Sequence, residues 1–429
     1  MERSEPGISW PATLFTNVAV FDGDGPGSYP GEVLVEGNRI AAVARDDERI
    51  AANGAAIVDG GGATLMPGLV EAHAHLGFGS SVDRVLRGPR TPEQMLLVTA
   101  HTAKVMLDYG FTGAYSAGSH SAPAEVALRD DIAAGWLPGP RLRACSFERE
   151  AGSVMEGTRK YVSYDRRQPD IDGVRAFVRD MAAAGVDSVK LVLTGDNSIV
   201  PGTSLTGLYH DAEIRAAGEA ARDAGVWLNV HAHSAEAIKM ALRYGVRVIY
   251  HCTWPDEEAL DLLEAHKDEI FVAPTVGLNW TNIHADPNYA KRDNGAALKE
   301  QIGKFDHLRR LLPVLRKRGI RLLPGGDYGF PTNPIGRNAH DIELFVTEFG
   351  FRPAEALTAA TKLGGEIMGM ADELGRIKSG YIADLLLVDG DPLRDVALLQ
   401  DSNRLLMIMK DGKYHKMPQP RRRLGAHAV

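Results

Sequence analysis

Cysteine is scarce in this chain: Cys145 and Cys252 are the only two in 429 residues. Two thiols cannot build a disulfide framework or a structural zinc–thiolate site. Neither sign of charge is in large excess. Lys and Arg number 48 against 56 Asp and Glu, a formal net charge of -8. Over the surface of so long a chain that balance is too weak to mark a general binder of nucleic acid or anionic membrane. No apolar run approaches the roughly 18 residues that a spanning helix needs. The opening MERSEPGISWPATL lacks the basic-then-apolar order of a secretory signal, so a cytoplasmic protein is expected. With 44% hydrophobic residues, disorder is excluded too, since a fold of this size buries about three-quarters of its unfolded surface. What stands out is histidine. There are 14, several in tight pairs.

The two ends resemble each other more than the middle. Residues 13–65 read as short strands broken by turns such as GDGPGS and GNR, and residues 374–416 repeat that style in YIADLLLVDGDP, LLMIMK and DGKYHK. Alternating apolar runs between Gly-Asp and Gly-Asn turns are hairpin signals. Neither end alone has strands enough for a stable sheet pair. One small β-sandwich assembled from 1–65 and 371–416 is therefore expected, followed by a solvated tail at 417–429 that carries three arginines. Between them, residues 66–370 alternate strand-like and helix-period segments. Candidate strands are 64–70, 111–116, 141–146, 187–194, 226–231, 246–251, 270–275 and 320–326. Val174, Phe177, Val178 and Met181 mark one helix face, and Leu308, Leu311, Leu312 and Leu315 another. Eight such alternations predict an α/β fold, a (β/α)8 TIM-like barrel. A doubly wound sheet is the rival, but no Gly-rich phosphate fingerprint follows the first strand.

In a barrel of this kind, chemistry gathers at the C-terminal strand ends. The first candidate strand ends in Glu71-Ala72-His73-Ala74-His75, whose two histidines share a face and can reach one metal ion. The fifth ends in Val230-His231-Ala232-His233, the sixth in Ile249-Tyr250-His251 and the eighth in Asp327. A single strand-end histidine is more often a hydrogen-bonded structural residue. Four strands ending in imidazole or carboxylate make a metal site the better reading.

Alternation along Asp187–Thr194 turns Ser188, Lys190, Val192 and Thr194 inward. A lone buried ammonium is costly. Lys190 is therefore either salt-bridged, for example to Asp327, or present as a carbamate, since desolvation favours the neutral amine that takes up carbon dioxide.

These residues resemble the metal-dependent amidohydrolase superfamily. The likeness rests on PGLVEAHAHL, on the strand-end ligands in chain order, and on LGRIKSGYIADLLLVDGDPL with its late DGK. VKLVLTGD followed by VHAHSAEAIKMALRYGVRVIYHCT is similar to the branch of prolidase-like dipeptidases, ochratoxinase and imidazolonepropionase-like proteins. The resemblance implies two divalent ions: zinc by default, with manganese, iron, cobalt and nickel suited to the same ligands. It implies that His73, His75 and Asp327 hold one ion, that His231 and His251 hold the other, and that carboxylated Lys190 joins them. A bridging hydroxide would then attack the carbonyl of a small-molecule amide. Asp327 would serve as base and then acid, and His233 would polarise the carbonyl. Two departures, Tyr250-His251-Cys252-Thr253 and Thr194-Gly195-Asp196, leave the ligands intact and unsettle any substrate drawn by analogy.

The expected substrates are a dipeptide, an N-acyl amino acid or an aryl amide. Selection should fall to the loops. Arg149, with Arg159, Lys160, Arg166 and Arg167 nearby, is a candidate to dock a carboxylate, and Tyr161 and Tyr164 lie in the same loop. Trp280, Tyr289, Tyr328 and Phe330 are candidates to line an apolar pocket, and His120 could reach it. A homo-oligomer is compatible with all of this. The first rival is an enzyme acting on a heterocycle, either a hydrolase of a cyclic amide or imidazolone or an aminohydrolase, in which Glu236, three residues after His233, would shuttle protons. A non-catalytic scaffold is the second, and the complete ligand set argues against it.

Overall fold

The structure, a computed structural model, describes residues 12–80, 91–151, 162–197, 200, 202–285 and 295–419. Arg159, Lys160, Tyr161, Tyr289 and residues 420–429 of the expected tail lie outside the described residues. Contacts divide the chain into two compact units. One holds the described parts of Met1–Val70, Met106–Gly113 and Arg352–Val429, and the other those of Glu71–Val105 and Ala114–Phe351.

In the first unit, both ends of the chain supply one sheet. Its strands are β1 (Thr13–Val20), β2 (Tyr29–Glu36), β3 (Arg39–Arg45), β4 (Ala56–Asp59), β5 (Thr64–Pro67), β14 (Leu385–Val388), β15 (Leu405–Lys410) and β16 (Lys413–Lys416). They run in the order β16-β15-β14-β5-β1-β2-β3, with β4 beside β1. β1 is the pivot. Asn17 sits at φ 51 where the register with β2 shifts between Phe15 and Val18. The bulge lets the first half of β1 pair with β4 and the second half with β5, the bend that an extra residue imposes on a strand. Phe15, Val33, Leu65, Leu385 and Met407 belong to one buried cluster, each contributing about 1.5–3 kcal/mol by burial.

The expected strand 64–70 is two strands. β5 stays with the terminal sheet, and β6 (Leu69–Ala74) leaves it after Gly68. Only glycine fits there, because a Cβ would stand 2.1 Å from Thr112 Oγ1.

In the second unit, β9 (Cys145–Glu150), β10 (Ser188–Val192), β11 (Trp227–Ser234), β12 (Val248–Trp254) and β13 (Phe271–Ala273) form a parallel five-stranded sheet. A separate sheet of three strands is formed by β6, β7 (Phe111–Ser116) and β8 (Arg141–Arg143), the first parts of β6 and β7 counting with the first unit. Helices follow the strands in alternation. The helix Ile171–Ala183 buries Val174 and Val178, and Ala296–Lys317 buries Leu308, Leu311, Leu312 and Leu315, the faces that the periodicity predicts. Single parallel bridges, Ser119 to Phe147, Val272 to Leu322 and Ala74 to Tyr328, stand where continuous ladders would close a barrel.

The expected eighth strand, 320–326, is a correction: it forms a single isolated bridge, at Leu322, and no ladder. Pro324 has no N–H to give, and the Gly325 N–H goes to the Asp341 carboxylate at 3.1 Å. The third expected strand is likewise broken, into β8 and β9 at Ala144. Among the described residues no helix is long and apolar enough to cross a membrane.

Candidate metal centre

Parallel strands deliver their C-terminal ends to one side, and the expected ligands come from those ends. His73 lies in β6, with His75 just after it. His231 and His233 both lie in β11, which runs on to Ser234, and His251 lies in β12. All five rings and Asp327 are buried. His251 and Cys252 have φ 71 and 47, and Asp327 has φ 62. Such left-handed residues cost on the order of 1–3 kcal/mol each and gather at sites where their direction matters. Two groups of three potential ligand atoms result, each within 4.8 Å: His73, His251 and Asp327, and His231, His233 and His251. His251 belongs to both. His233, expected beside the substrate, lies as close to its partners as the expected ligands do.

Hydrogen bonds fix which ring nitrogen faces inward. His75 Nδ1 lies 2.9 Å from the Gly118 carbonyl, which can only accept, so the neutral ring presents a lone pair at Nε2. That lone pair points at Asp327 Oδ1, 3.0 Å away. Two electron pairs at this distance repel unless a cation stands between them, either a proton or a metal ion. His231 Nε2 in turn donates to the Gly195 carbonyl at 3.2 Å, which leaves its Nδ1 as a donor to metal. Among the described residues, the ring nitrogen His251 Nδ1 and Asp327 Oδ1 are buried without a hydrogen-bond partner.

Electrostatics agree with a metal-binding set. Burial, helped by the charges of Lys190 and neighbouring rings, holds His73 well below the usual imidazole range. Burial does the same to His233 and His251, and pushes His231 down to about 4. Burial also opposes the charged form of His75, but the Asp327 carboxylate outweighs it and raises that group. Neutral imidazoles around one carboxylate are the donor set of a divalent ion. The residues present fit the group that the sequence implies.

Lys190 is fully buried. Its Nζ donates to the Ala117 carbonyl at 2.8 Å and stands 3.4 Å from Glu148 Oε1. The expected salt bridge thus exists with a different carboxylate, Glu148 rather than Asp327. Glu148, Glu150 and Asp196 line the cleft with the ligands, Lys190 and Phe330. Behind it, Glu71 accepts from the His73 N–H and from Asn338 Nδ2, both at 2.8 Å, and burial beside Asp341 raises it to about 8.

The substrate candidates fare differently. Arg149 is paired with Asp170 at 2.8 Å and lies over Phe177. Tyr164 packs against Gly207 and His210, and Trp280 meets His340 and His284. Tyr328 is a correction. Fully buried, it donates its hydroxyl to Asp341 at 2.8 Å, so it braces the Asp327 loop and does not line a pocket. His120 is exposed, and its ring lies 4.4 Å from that of Phe78, which stacks on His75.

Glu148 and Glu150 were legible as an inward i, i+2 pair had the third strand been carried past Ser146. Lys304 was legible as a lysine on the apolar face of its helix.

The family model that matches residues 64–414 is that of the amidohydrolase family. The chain belongs to this family. Ochratoxinase of Aspergillus niger is 25% identical over 254 residues, which are 58% of this chain and 50% of that protein, so the chain spans about half the length of that curated relative. Imidazolonepropionase of Rubrobacter xylanophilus is 23% identical over 89% of this chain and 90% of its own. A crystal structure of a Xaa-Pro dipeptidase with bound methionine superimposes with a TM-score of 0.79 at 24% identity, covering 95% of this chain and all of that one. That likeness establishes a TIM-barrel-like α/β fold.

Proposed function

We propose that the protein is a metal-dependent hydrolase that cleaves the C–N bond of an amide: a dipeptide, an N-acyl amino acid or an aryl amide. The carrying observation is the meeting of five buried imidazoles and Asp327, with His251 Nδ1 unpartnered among the described residues. His73, His75 and Asp327 would hold one ion, His231 and His251 a second, and Lys190 as a carbamate would join them. Zinc is the first choice by ligand type. When bound, the ions supply the Lewis acidity that activates water and polarises the scissile carbonyl.

The chain's own residues do the rest. Asp327 Oδ1 takes the proton from the attacking water and returns it to the leaving nitrogen. His233, held through Nδ1 by the Thr253 hydroxyl at 2.7 Å, offers its other nitrogen to the carbonyl oxygen. Gly118 and Gly195 orient the ligand rings through their carbonyls, and Asn333 holds the backbone carbonyls of Gly326 and Asp327 at 2.8 and 3.2 Å. A closed barrel, a terminal β-sandwich and a cytoplasmic setting complete this reading.

Ammonia release from a heterocycle is the second reading, and one observation weakens it. Glu236, its expected proton shuttle, is 71% exposed and paired with Lys239 at 2.7 Å. A screen of metal-replete protein on dipeptides, N-acyl amino acids, aryl amides, ureas, lactams and aminated heterocycles tests both. Ammonia from heterocycles without cleavage of any amide would reverse the order.

A further inference from the structure

The carboxylate-docking arginine that the loop composition suggests is engaged elsewhere. Arg149 faces Asp170 and Arg167 faces Glu213, while Lys190 faces Glu148. Lys304 differs. Among the described residues, its ammonium has neither a hydrogen bond nor an ion pair.

Position makes this unusual. Lys304 lies in the helix Ala296–Lys317, one turn after the buried Gln301 and one turn before the buried Leu308, so it is half-buried on the inward face. His307, three residues on, places that stretch of helix at the end of β12, its ring 4.1 Å from the Trp254 ring. Thr253, next to Trp254, is the residue that holds His233. The charge of Lys304 acts on His233 and His251, and Asp196 and Asp327 act on Lys304. The ammonium therefore lies on the His233 and His251 side of the cleft. A long side chain with nothing to bind normally carries its head to water. A cation kept beside a centre that itself gathers cations needs an anion in contact, and although Glu300, Asp196 and Asp327 act on it through space, none of the described residues is ion-paired with it.

We propose that Lys304 is the docking group for a substrate carboxylate, which selects N-acyl amino acids or dipeptides over neutral aryl amides. The inference rests on the proposed C–N hydrolysis and narrows it. The carboxylate meets Lys304 while the scissile carbonyl lies towards His233, so the charged end sits on the leaving-amine side.

The test compares N-acyl amino acids and dipeptides with the same molecules carrying a carboxamide in place of the free carboxylate. Lys304→Met should lower kcat/KM on the acids by about 10- to 100-fold, chiefly through KM, the worth of one charge-assisted hydrogen bond. The carboxamides should change little, and Lys304→Arg should keep part of the activity on acids. Binding of free amino acids and of their carboxamides, read by calorimetry on the metal-replete protein, gives a measure independent of turnover. Amino acids should bind more weakly to Lys304→Met and carboxamides equally. Equal losses on acids and carboxamides, or no loss on acids, would overturn the assignment while leaving the hydrolase reading intact. If no amide of either kind is cleaved, yet amino-acid binding still depends on Lys304, the hydrolase reading fails and the carboxylate site stands.

Discussion

The two halves of the site differ in what surrounds their histidines. His73 and His75 stand among carboxylates: Asp327 lies within 3.5 Å of both rings, and Glu71 accepts from the His73 backbone. Among the described residues, the rings of His231 and His233 hydrogen-bond neutral groups, the Gly195 carbonyl and the Thr253 hydroxyl, with Asp196 acting on His231 through space. The contrast shows in protonation only at His75, which Asp327 raises; burial lowers His73 as it lowers His231, His233 and His251. The first half brings its own negative charge. The second feels Asp196 and Glu148 only through space, and a carbamate on Lys190 or an anionic substrate would add charge in direct contact.

Removing the carboxylate that defines the first half should have the largest effect. Asp327→Asn is expected to lower kcat by about 10²–10⁴-fold, the range of a lost general base. Asn keeps the shape of the side chain and gives up only the charge that faces His75 at 3.0 Å, so the fold should survive and thermal unfolding should shift far less than the rate. A near-normal rate would mean that another group carries the proton.

The charge of the second half is tested at Lys190. Elemental analysis should find about two divalent ions per chain, and Lys190→Ala should drop that towards one, with activity partly restored by formate or acetate. Full ion content and full activity in the variant would remove Lys190 from the centre. A single ion in the unaltered protein would remove the second half from it.

What could be read from the chain follows the same division. His73, His75, His231 and His251 were legible because imidazoles at strand ends repeat a pattern that periodicity locates, and Lys190 because alternation turns it inward. The carboxylates around them were harder to see. Glu148 and Glu150 lie beyond the expected end of their strand, where β9 begins anew after Ala144 and shifts register against β10. Asp341 sits in a helix remote from any strand end, and nothing local reveals that its carboxylate bonds Tyr328 and the Gly325 N–H. Tyr328 was misread for that reason. An aromatic after a strand end looks like a pocket wall until its hydroxyl's partner is known.

Asp341 lets the carboxylate-rich half be examined by pH. Burial raises it from 3.8 to about 7, so the folded chain holds this proton more tightly than the unfolded one. Its contribution to stability is therefore complete below about pH 3.8 and is lost as pH rises through about 7. For the metal-free protein, unfolding free energies at about pH 5.5 and about pH 8.5 should differ by roughly 1–4 kcal/mol from this source. Asp341→Asn should be less stable overall, because Tyr328 and Gly325 donate to different oxygens of the carboxylate and the amide turns one of them into a donor, yet flatter between the two pH values. An unchanged slope would show that Asp341 ionises freely within the fold.

The smallest effect is expected at Arg149, and it separates the loops from both halves of the site. Arg149 Nη2 is held 2.8 Å from Asp170, whose side chain is 58% exposed. An ion pair that meets solvent contributes about 0.2–1 kcal/mol. Arg149→Ala should therefore lower the unfolding free energy by about that much, with a small addition for the contact over Phe177. It should leave KM for carboxylate-bearing amides within about twofold, against the 10- to 100-fold expected at Lys304. A KM rise in Arg149→Ala as large as that of Lys304→Met would place the substrate's charged end at the β9 side of the cleft, in the half that already carries Glu148 and Glu150.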